Sequence, residues 1–142
     1  MTTVRHLLDG KGREIYSVEP EDPVLEAIQL MADRHVGALL VMRGKELIGI
    51  VSERDYARKV ILLGRSSSET PVWQIMSSPV ITVSPEATVR DCMKIMTDHR
   101  IRHLPVVAQG SVAGVISIGD LVKAVMEEQQ QTIQQLENYI HS

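Results

Sequence analysis

Residues 49–55, GIVSERD, recur 65 positions later as residues 114–120, GVISIGD. Each copy has a glycine, two apolar residues, a serine and, three residues after the serine, an aspartate. An apolar run that changes to Ser-x-x-Asp is typical of a strand that gives way to a helix, because serine and aspartate favour helix N-termini. The duplicated stretch therefore predicts the same strand-to-helix junction twice.

The duplication extends well beyond this stretch. Residues 17–61 align with residues 82–126 without a gap, and 12 of the 45 pairs are identical, where about 3 are expected by chance from average composition. The identities include Pro20/Pro85, Glu21/Glu86 and Ser52/Ser117, so a shared hydrophobic periodicity does not explain them. The chain consists of two copies of one unit.

Each unit has the same predicted elements. A first strand is predicted at 15–18 and at 80–83, and a first helix follows from residue 24 and from residue 89. A hairpin comes next, formed by 38–42 with 47–51 and by 104–107 with 112–116. A second helix begins near Asp55 and near Asp120. This order predicts an α/β (α+β) fold. Two pseudo-symmetric strand-helix-strand-strand-helix repeats pack as one module, and a C-terminal helix follows them.

The predicted domain boundaries follow from this repeat. They are 1–63 for the first repeat with an N-terminal segment, 64–76 for a linker with a short helix, 77–126 for the second repeat and 127–142 for a C-terminal helical extension. In the linker, Thr70 is expected to cap the short helix, with Pro71 at its first position. Trp73, Ile75 and Met76 are expected to anchor that helix to the core.

Composition excludes several classes of partner. The net charge of −3 and the four aromatic residues argue against nucleic acid and anionic lipid as partners. No apolar run approaches the roughly 20 residues that span a bilayer. The single cysteine, Cys92, is expected to be a core residue, and its isolation fits a cytoplasmic location.

The repeated motif resembles that of a tandem pair of cystathionine-β-synthase (CBS) domains, often called a Bateman module. The resemblance covers about residues 11–126 and rests on both copies of Gly-h-h-Ser-x-x-Asp, together with Arg102-His103-Leu104-Pro105-Val106-Val107 in the second unit. It implies a regulatory module with two clefts between the repeats. It also implies adenosine-containing ligands (AMP, ADP, ATP, S-adenosylmethionine or NAD) and dimerisation as flat discs.

The Ser-x-x-Asp spacing admits two interpretations. A serine hydroxyl at a helix N-terminus can donate to a phosphate, and an aspartate there can accept from the two hydroxyls of a ribose. Alternatively, serine and aspartate simply cap the helix. With the duplication and the resemblance, the ligand-binding interpretation is favoured.

The second cleft is predicted to be the better equipped one. Its expected ligand-binding residues are Ser117, Asp120, Arg100, Arg102, His103, Ile81, Thr82 and Val83. The three basic residues are expected to meet phosphates, although they could instead lie on a solvated loop or form an ion pair with Asp98. The extended backbone of 81–83 is expected to offer N–H and C=O groups to adenine.

The first cleft lacks these cations. Its expected ligand-binding residues are Ser52, Arg54, Asp55, Tyr16 and Gly37. Tyr16 could stack on adenine, or it could be a half-buried strand tyrosine. No metal ligands or catalytic residues are predicted, because His99 and His103 stand on either side of a predicted helix end and no nucleophile–base pair is present.

The C-terminal tail carries a narrow apolar seam. Val122, Met126, Gln129, Ile133, Leu136 and Ile140 follow spacings of four and three residues, as in helices that pair with another helix. The expected partner is a second copy of the chain, giving a homodimer, and the alternative is packing against the helix's own domain.

Together these features favour a non-enzymatic sensor of adenine nucleotides, with AMP or ATP ranked first, NAD second and S-adenosylmethionine third. Such a sensor would signal by a conformational change to a protein target in a separate chain. The alternative is a structural dimerisation module with vestigial clefts.

Overall fold

A computed structural model describes residues 2–141. Within them the chain is a mixed α/β protein with two small sheets. The helices are α1 Val4–Lys11, α2 Val24–Arg34, α3 Glu53–Tyr56, α4 Val89–His99 and α5 Ile118–Ile140, and the strands are β1 Ser17–Val18, β2 Ala38–Arg43, β3 Glu46–Ser52, β4 His103–Ala108 and β5 Ser111–Ser117. A π-helical turn, Ala57–Ile61, continues α3, and a 3-10 turn forms at Val72–Gln74. The predicted fold class is confirmed.

One compact unit comprises residues 14–81. Its sheet has the order β1-β2-β3, with β1 parallel and β3 antiparallel to β2. The buried stripe of α2, formed by Val24, Ala27 and Met31, joins the inner side chains of this sheet in one core. That stripe is the one that the 3.6-residue periodicity predicts.

The other compact unit comprises residues 1–13 and 82–142. Its sheet is the antiparallel hairpin of β4 and β5, in which His103 lies opposite Ser117. Val89, Cys92 and Met96 form the buried stripe of α4. The helix α5 begins directly after β5 at Ile118 and runs for 23 residues.

The segment that precedes each repeat in sequence packs in an equivalent way in its unit. The Val4 N–H donates to the Ala87 carbonyl at 2.8 Å, and the Val72 N–H donates to the Asp22 carbonyl at 2.9 Å. Both valines are fully buried. The N-terminal segment thus packs on the second repeat, whereas the sequence grouped it with the first. The reason is a set of apolar and backbone contacts that the sequence does not reveal, and the boundaries drawn from the repeat stay a prediction.

Local expectations at two places differ from the structure. Residues 80–83 form no strand, and only Val83 bridges to Val106. The Thr70 side chain does not cap the 3-10 turn, whose N-cap is Pro71 without a side-chain hydrogen bond. Instead Thr70 is buried, and its carbonyl accepts from the Val24 N–H at 2.8 Å.

The anchoring of the linker is only partly as expected. Ile75 is fully buried, and Met76 packs against the core of its unit. Trp73, however, is 52% exposed. In a turn of only three residues, Val72 takes the buried position, so the indole is left at the surface.

Candidate ligand site at the strand-to-helix junctions

The junction of the second repeat is a hydrogen-bonded cap. Ser117 ends β5 and is the N-cap of α5. Its N–H and its hydroxyl both donate to Asp120 Oδ2, at 2.8 and 3.0 Å, and its Oγ accepts from the Asp120 N–H at 3.3 Å. This reciprocal arrangement is a capping box, which satisfies backbone donors that the helix leaves free.

The first repeat has the same cap. The Ser52 N–H and hydroxyl donate to Asp55 Oδ2 at 2.9 and 3.0 Å, and Oγ accepts from the Asp55 N–H at 3.1 Å. A third capping box, between Thr88 and Asp91, starts α4 outside the repeated motif. Both Ser-x-x-Asp motifs therefore cap a helix, and capping alone does not distinguish a ligand site from a purely structural one.

A lysine that the sequence did not single out completes the second junction. Lys11 Nζ, at the end of α1, donates to Asp120 Oδ2 at 2.6 Å and to the Val115 carbonyl at 2.9 Å. Lys11 and Asp120 are 109 residues apart, so no local pattern links them. Oδ2 thus receives three hydrogen bonds, whereas in residues 2–141 no hydrogen bond is made to Oδ1 of the same carboxylate.

These contacts keep Asp120 ionised. Partial burial alone would raise the pKa of this carboxyl, but the hydrogen bond from Lys11 and those from Ser117, with the Lys11 charge, outweigh it and lower the pKa. An ionised carboxylate only accepts hydrogen bonds. The open Oδ1 is therefore suited to a hydroxyl donor.

His103 is half-buried and lies opposite Ser117 in the hairpin. Burial lowers the pKa of its imidazole, and the nearby Lys11 charge lowers it further, while Asp120 opposes the shift. The ring is therefore mainly neutral near pH 7. It does not supply the positive charge that the sequence suggested, but it retains one N–H donor and one acceptor nitrogen.

The two predicted arginines are exposed. Arg102 directly precedes β4, and its carbonyl accepts from the Ile118 N–H at 2.9 Å, which places this backbone at the start of α5. Arg100 ends α4 with a left-handed backbone, φ 54°. Neither guanidinium has an ion pair within the described chain, so both are available to an anion.

The predicted adenine-binding backbone is partly occupied. The Val83 N–H donates to the Pro105 carbonyl at 3.1 Å, and the Val83 carbonyl accepts from the Val107 N–H at 2.9 Å. Both groups are thus used by β4 and are not free for adenine. For Ile81, which is half-buried, and Thr82, which is exposed, adenine contact stays a prediction.

In the first repeat, Tyr16 is already engaged. Its hydroxyl donates to Glu14 at 2.5 Å, and the Arg34 guanidinium lies 5.3 Å from its ring centroid. The hydrogen bond to Glu14 raises the pKa of the phenol, and desolvation adds to the shift. A cation over one ring face leaves at most the other face for stacking.

The other first-repeat residues show how the two junctions differ. Gly37 accepts from the Glu53 N–H through its carbonyl at 3.0 Å, and Arg54 is exposed. Asp55 Oδ1 lies 3.4 Å from Lys59 Nζ, one turn further along the same helical segment. The Lys59 ammonium therefore lies beside Asp55 Oδ1, whereas the equivalent oxygen of Asp120 accepts no hydrogen bond in residues 2–141.

Two further observations concern possible metal ligands and the single cysteine. This part of the chain holds no group of three or more His, Cys, Asp or Glu side chains arranged for a metal ion. Cys92 is fully buried, and burial raises the pKa of its thiol to about 11. A buried protonated thiol is a poor nucleophile.

The second half of α5 is exposed on all sides from residue 129 onward. The predicted seam is therefore at the surface, and the alternative in which this half packs on its own domain is wrong. Near residue 128 the helix is hydrogen-bonded to the N-terminal segment, since the Thr2 N–H and hydroxyl both donate to Glu128. None of the helices formed by residues 2–141 is long and apolar enough to cross a membrane.

Comparison with known proteins assigns the family. A chain from Burkholderia ambifaria MC40-6 with CBS domains is 52% identical, has a TM-score of 0.88 and is matched over 90% of this chain and 96% of that one. The mitochondrial CBS domain-containing protein CBSX3 of Arabidopsis thaliana is 41% identical over 98% of this chain and 72% of its own length. The CBS domain pair of protein MJ0100, in complex with 5′-methylthioadenosine and S-adenosyl-L-methionine, has a TM-score of 0.80 at 20% identity over 90% of this chain and 98% of that one.

The family model for the CBS domain matches twice, at residues 11–62 and 72–127. Each match contains one copy of the Ser-x-x-Asp junction. The chain therefore belongs to the CBS domain family, as a tandem pair of CBS domains.

Proposed function

We propose that this chain is a regulatory module that binds an adenosine-containing ligand beside Ser117 and Asp120 and performs no catalysis. The observation that carries the proposal is the Asp120 carboxylate, whose Oδ2 is held by Ser117 and Lys11 while Oδ1 accepts nothing from residues 2–141. A fixed, ionised carboxylate with one open oxygen is suited to the paired hydroxyls of a ribose.

Charge around this site favours a phosphorylated ligand. Arg100 and Arg102 are exposed and unpaired within the described chain, and guanidinium groups bind phosphates through paired hydrogen bonds. The N-terminus of the 23-residue helix α5 also favours an anion. AMP or ATP therefore ranks first, NAD second and S-adenosylmethionine third. The two ligands of protein MJ0100 both contain adenosine, which supports the wider ligand class.

Signalling would follow from a ligand that binds two conformations unequally, since only a difference in affinity shifts an equilibrium. The helix α5 begins at the proposed site, and its residues from 129 onward are exposed. It is thus a direct route from the ligand to a protein target in another chain. The cytoplasmic location stays a prediction.

We also infer that α5 pairs with the same helix of a second copy. Its exposed seam has Met126, Ile133 and Ile140 at one heptad position and Val122, Gln129 and Leu136 at the other. Isoleucine at the first position with leucine at the second favours two-stranded pairing. Such pairing also supports the alternative function, a structural dimerisation module whose Ser-x-x-Asp boxes only cap helices.

Titration calorimetry with AMP, ATP, NAD and S-adenosylmethionine separates the two functions. We expect at least one ligand to bind the wild type and Asp120→Asn to weaken it at least tenfold, since the amide keeps the cap acceptor but loses the charge. Asp91→Asn alters the third capping box and is the matched control, with unchanged binding. If nothing binds the wild type after removal of co-purified nucleotide, the dimerisation function is favoured instead.

A further inference from the structure

The two repeats differ most in what lies against their aspartates. In the second repeat a lysine from outside the repeated unit, Lys11, contacts Asp120 and the Val115 carbonyl. In the first repeat the carbonyl equivalent to that of Val115, on Ile50, accepts instead from the Ser77 backbone N–H at 2.8 Å. The second repeat therefore holds an ammonium group where the first holds a main-chain amide.

Lys11 is held in place by the packing of α1. Val4 and Leu8 are buried in this unit, and Leu8 lies directly over Gly114 in β5. Lys11 follows Leu8 by three residues, about one helical turn, so its stem extends along the same strand to Val115. The ammonium thus reaches Asp120 from a docked helix and not from a mobile loop.

The geometry leaves room for both the lysine and a ligand. Lys11 donates to Oδ2, the oxygen that Ser117 already occupies, and the other oxygen, Oδ1, has no donor in the described residues. A ribose hydroxyl could therefore bond Oδ1 without displacing the ammonium. In the first repeat the cation Lys59 lies nearest to Oδ1 itself, where it would compete with such a hydroxyl.

The charge of Lys11 also changes which ligands the site tolerates. An unpaired carboxylate repels a phosphate that approaches the same helix N-terminus, and a cation 2.6 Å from it removes most of that repulsion. Both members of the pair are partly shielded from solvent, at 37% and 23% side-chain exposure, so salt screens the pair only in part.

We infer that Lys11 is a specificity-determining residue of the second-repeat site, which compensates the Asp120 charge and so selects phosphorylated adenosine ligands over uncharged ones. The inference rests on the proposed function, and it assigns part of the binding site to the N-terminal segment. The Asp120–ribose contact sets affinity for any adenosine compound. Lys11 sets the preference among them.

The test is the ratio of ATP affinity to adenosine affinity, measured by calorimetry at low salt. We expect Lys11→Met to weaken ATP binding at least tenfold and adenosine binding by less than about twofold, and Lys11→Arg to restore the ratio. Lys94→Met removes the same charge from the Lys94–Asp98 pair in the same unit and should leave the ratio unchanged. Lost packing of α1 would lower the melting temperature but would not change this ratio.

Each other outcome overturns the inference in its own way. An unchanged ratio in Lys11→Met would make the lysine purely structural, while binding to the wild type would leave the proposed function intact. Tighter ATP binding by Lys11→Met would mean that the lysine blocks the site. If neither adenosine nor ATP binds the wild type, this inference is overturned, and the proposed function is overturned with it only if AMP, NAD and S-adenosylmethionine fail to bind as well.

Discussion

Leu8 lies so close to Gly114 that a Cβ built on the glycine would be 2.7 Å from Leu8 Cδ2. Gly114 is one of the positions that both repeats share, and its partner Gly49 meets the side chain of Met76 in the same way. The shared glycine is thus explained by packing, since each repeat leaves space there for an apolar side chain of the segment that packs on it.

This contact predicts that Gly114→Ala destabilises the protein. Overpacking of this kind costs about 1–3 kcal/mol, and Leu8, which is buried, has little room to move. Leu8→Ala alone should cost about 2–5 kcal/mol. In the double variant the new methyl group occupies space that the leucine vacated, so the two losses should not add. Urea unfolding of all four proteins measures the coupling, and strictly additive losses would contradict the contact.

Acid should lower the free energy of unfolding of the second repeat through protonation of Asp120. The pKa of this carboxyl is lowered from 3.8 in the folded protein, so the unfolded chain binds its proton more tightly than the folded one. Its contribution to stability is therefore complete above pH 3.8 and is lost as the pH falls through the lowered folded value. Asp120→Asn should unfold with a shallower pH dependence below pH 4 than the wild type. Asp91→Asn serves as the control, and equal slopes for Asp120→Asn and wild type would contradict the prediction.

His103 should report on Lys11 directly. Burial lowers the pKa of His103 from 6.5, and the Lys11 charge adds to the shift. Removing that charge in Lys11→Met should therefore raise the pKa of His103 toward its ordinary value, as followed by NMR titration of the imidazole Cε1 proton. In Lys94→Met the titration should be unchanged. If the pKa of His103 is the same in Lys11→Met and in the wild type, the lysine is not near the ring in solution.

Cys92 should resist thiol reagents in the folded protein. Burial raises the pKa of its thiol to about 11, so only ~0.1% is thiolate at pH 8, and the side chain has no solvent exposure. Labelling by a disulfide reagent should follow global unfolding and accelerate with urea. The exposed control Ser111→Cys should react at once under the same conditions, and equally fast labelling of Cys92 would contradict its burial.

The seam of α5 should decide the oligomeric state. Ile133→Glu with Leu136→Glu places charge in the proposed helix pair and should shift a wild-type dimer to monomer in analytical ultracentrifugation. Gln134→Glu with Gln135→Glu adds the same charge outside the seam and should leave the mass unchanged. Identical masses for all three proteins would rule out pairing through this seam.

Much of the fold could be predicted because the relevant signals are local. The stripes of α2 and α4 follow the 3.6-residue period, and both Ser-x-x-Asp boxes mark the start of a helix within four residues. The strand predicted at 80–83 is wrong because β-branched side chains favour a strand only where a neighbouring strand offers hydrogen bonds along its length. Here only Val83 has such a partner.

The site was harder to predict because its contacts are distant in sequence. Lys11 reaches Asp120 across 109 residues, and no spacing rule covers such a pair. Whether the backbone N–H and C=O of Val83 are free for a ligand also depends on distant residues, since both groups are hydrogen-bonded to Pro105 and Val107. Oligomeric contacts and ligand identity depend on molecules other than this chain, so they stay predictions.

The N-terminal segment packs on the second repeat, and this has a consequence for synthesis on the ribosome. The segment around Val72 emerges after the repeat on which it packs, so residues 14–81 can fold as soon as they leave the exit tunnel. The segment around Val4 emerges first, but its partner Ala87 and the strand under Leu8 come more than 80 residues later. At about 5–20 residues per second, its apolar face waits several seconds without a partner. A truncated product that ends near residue 81 would leave that face permanently uncovered.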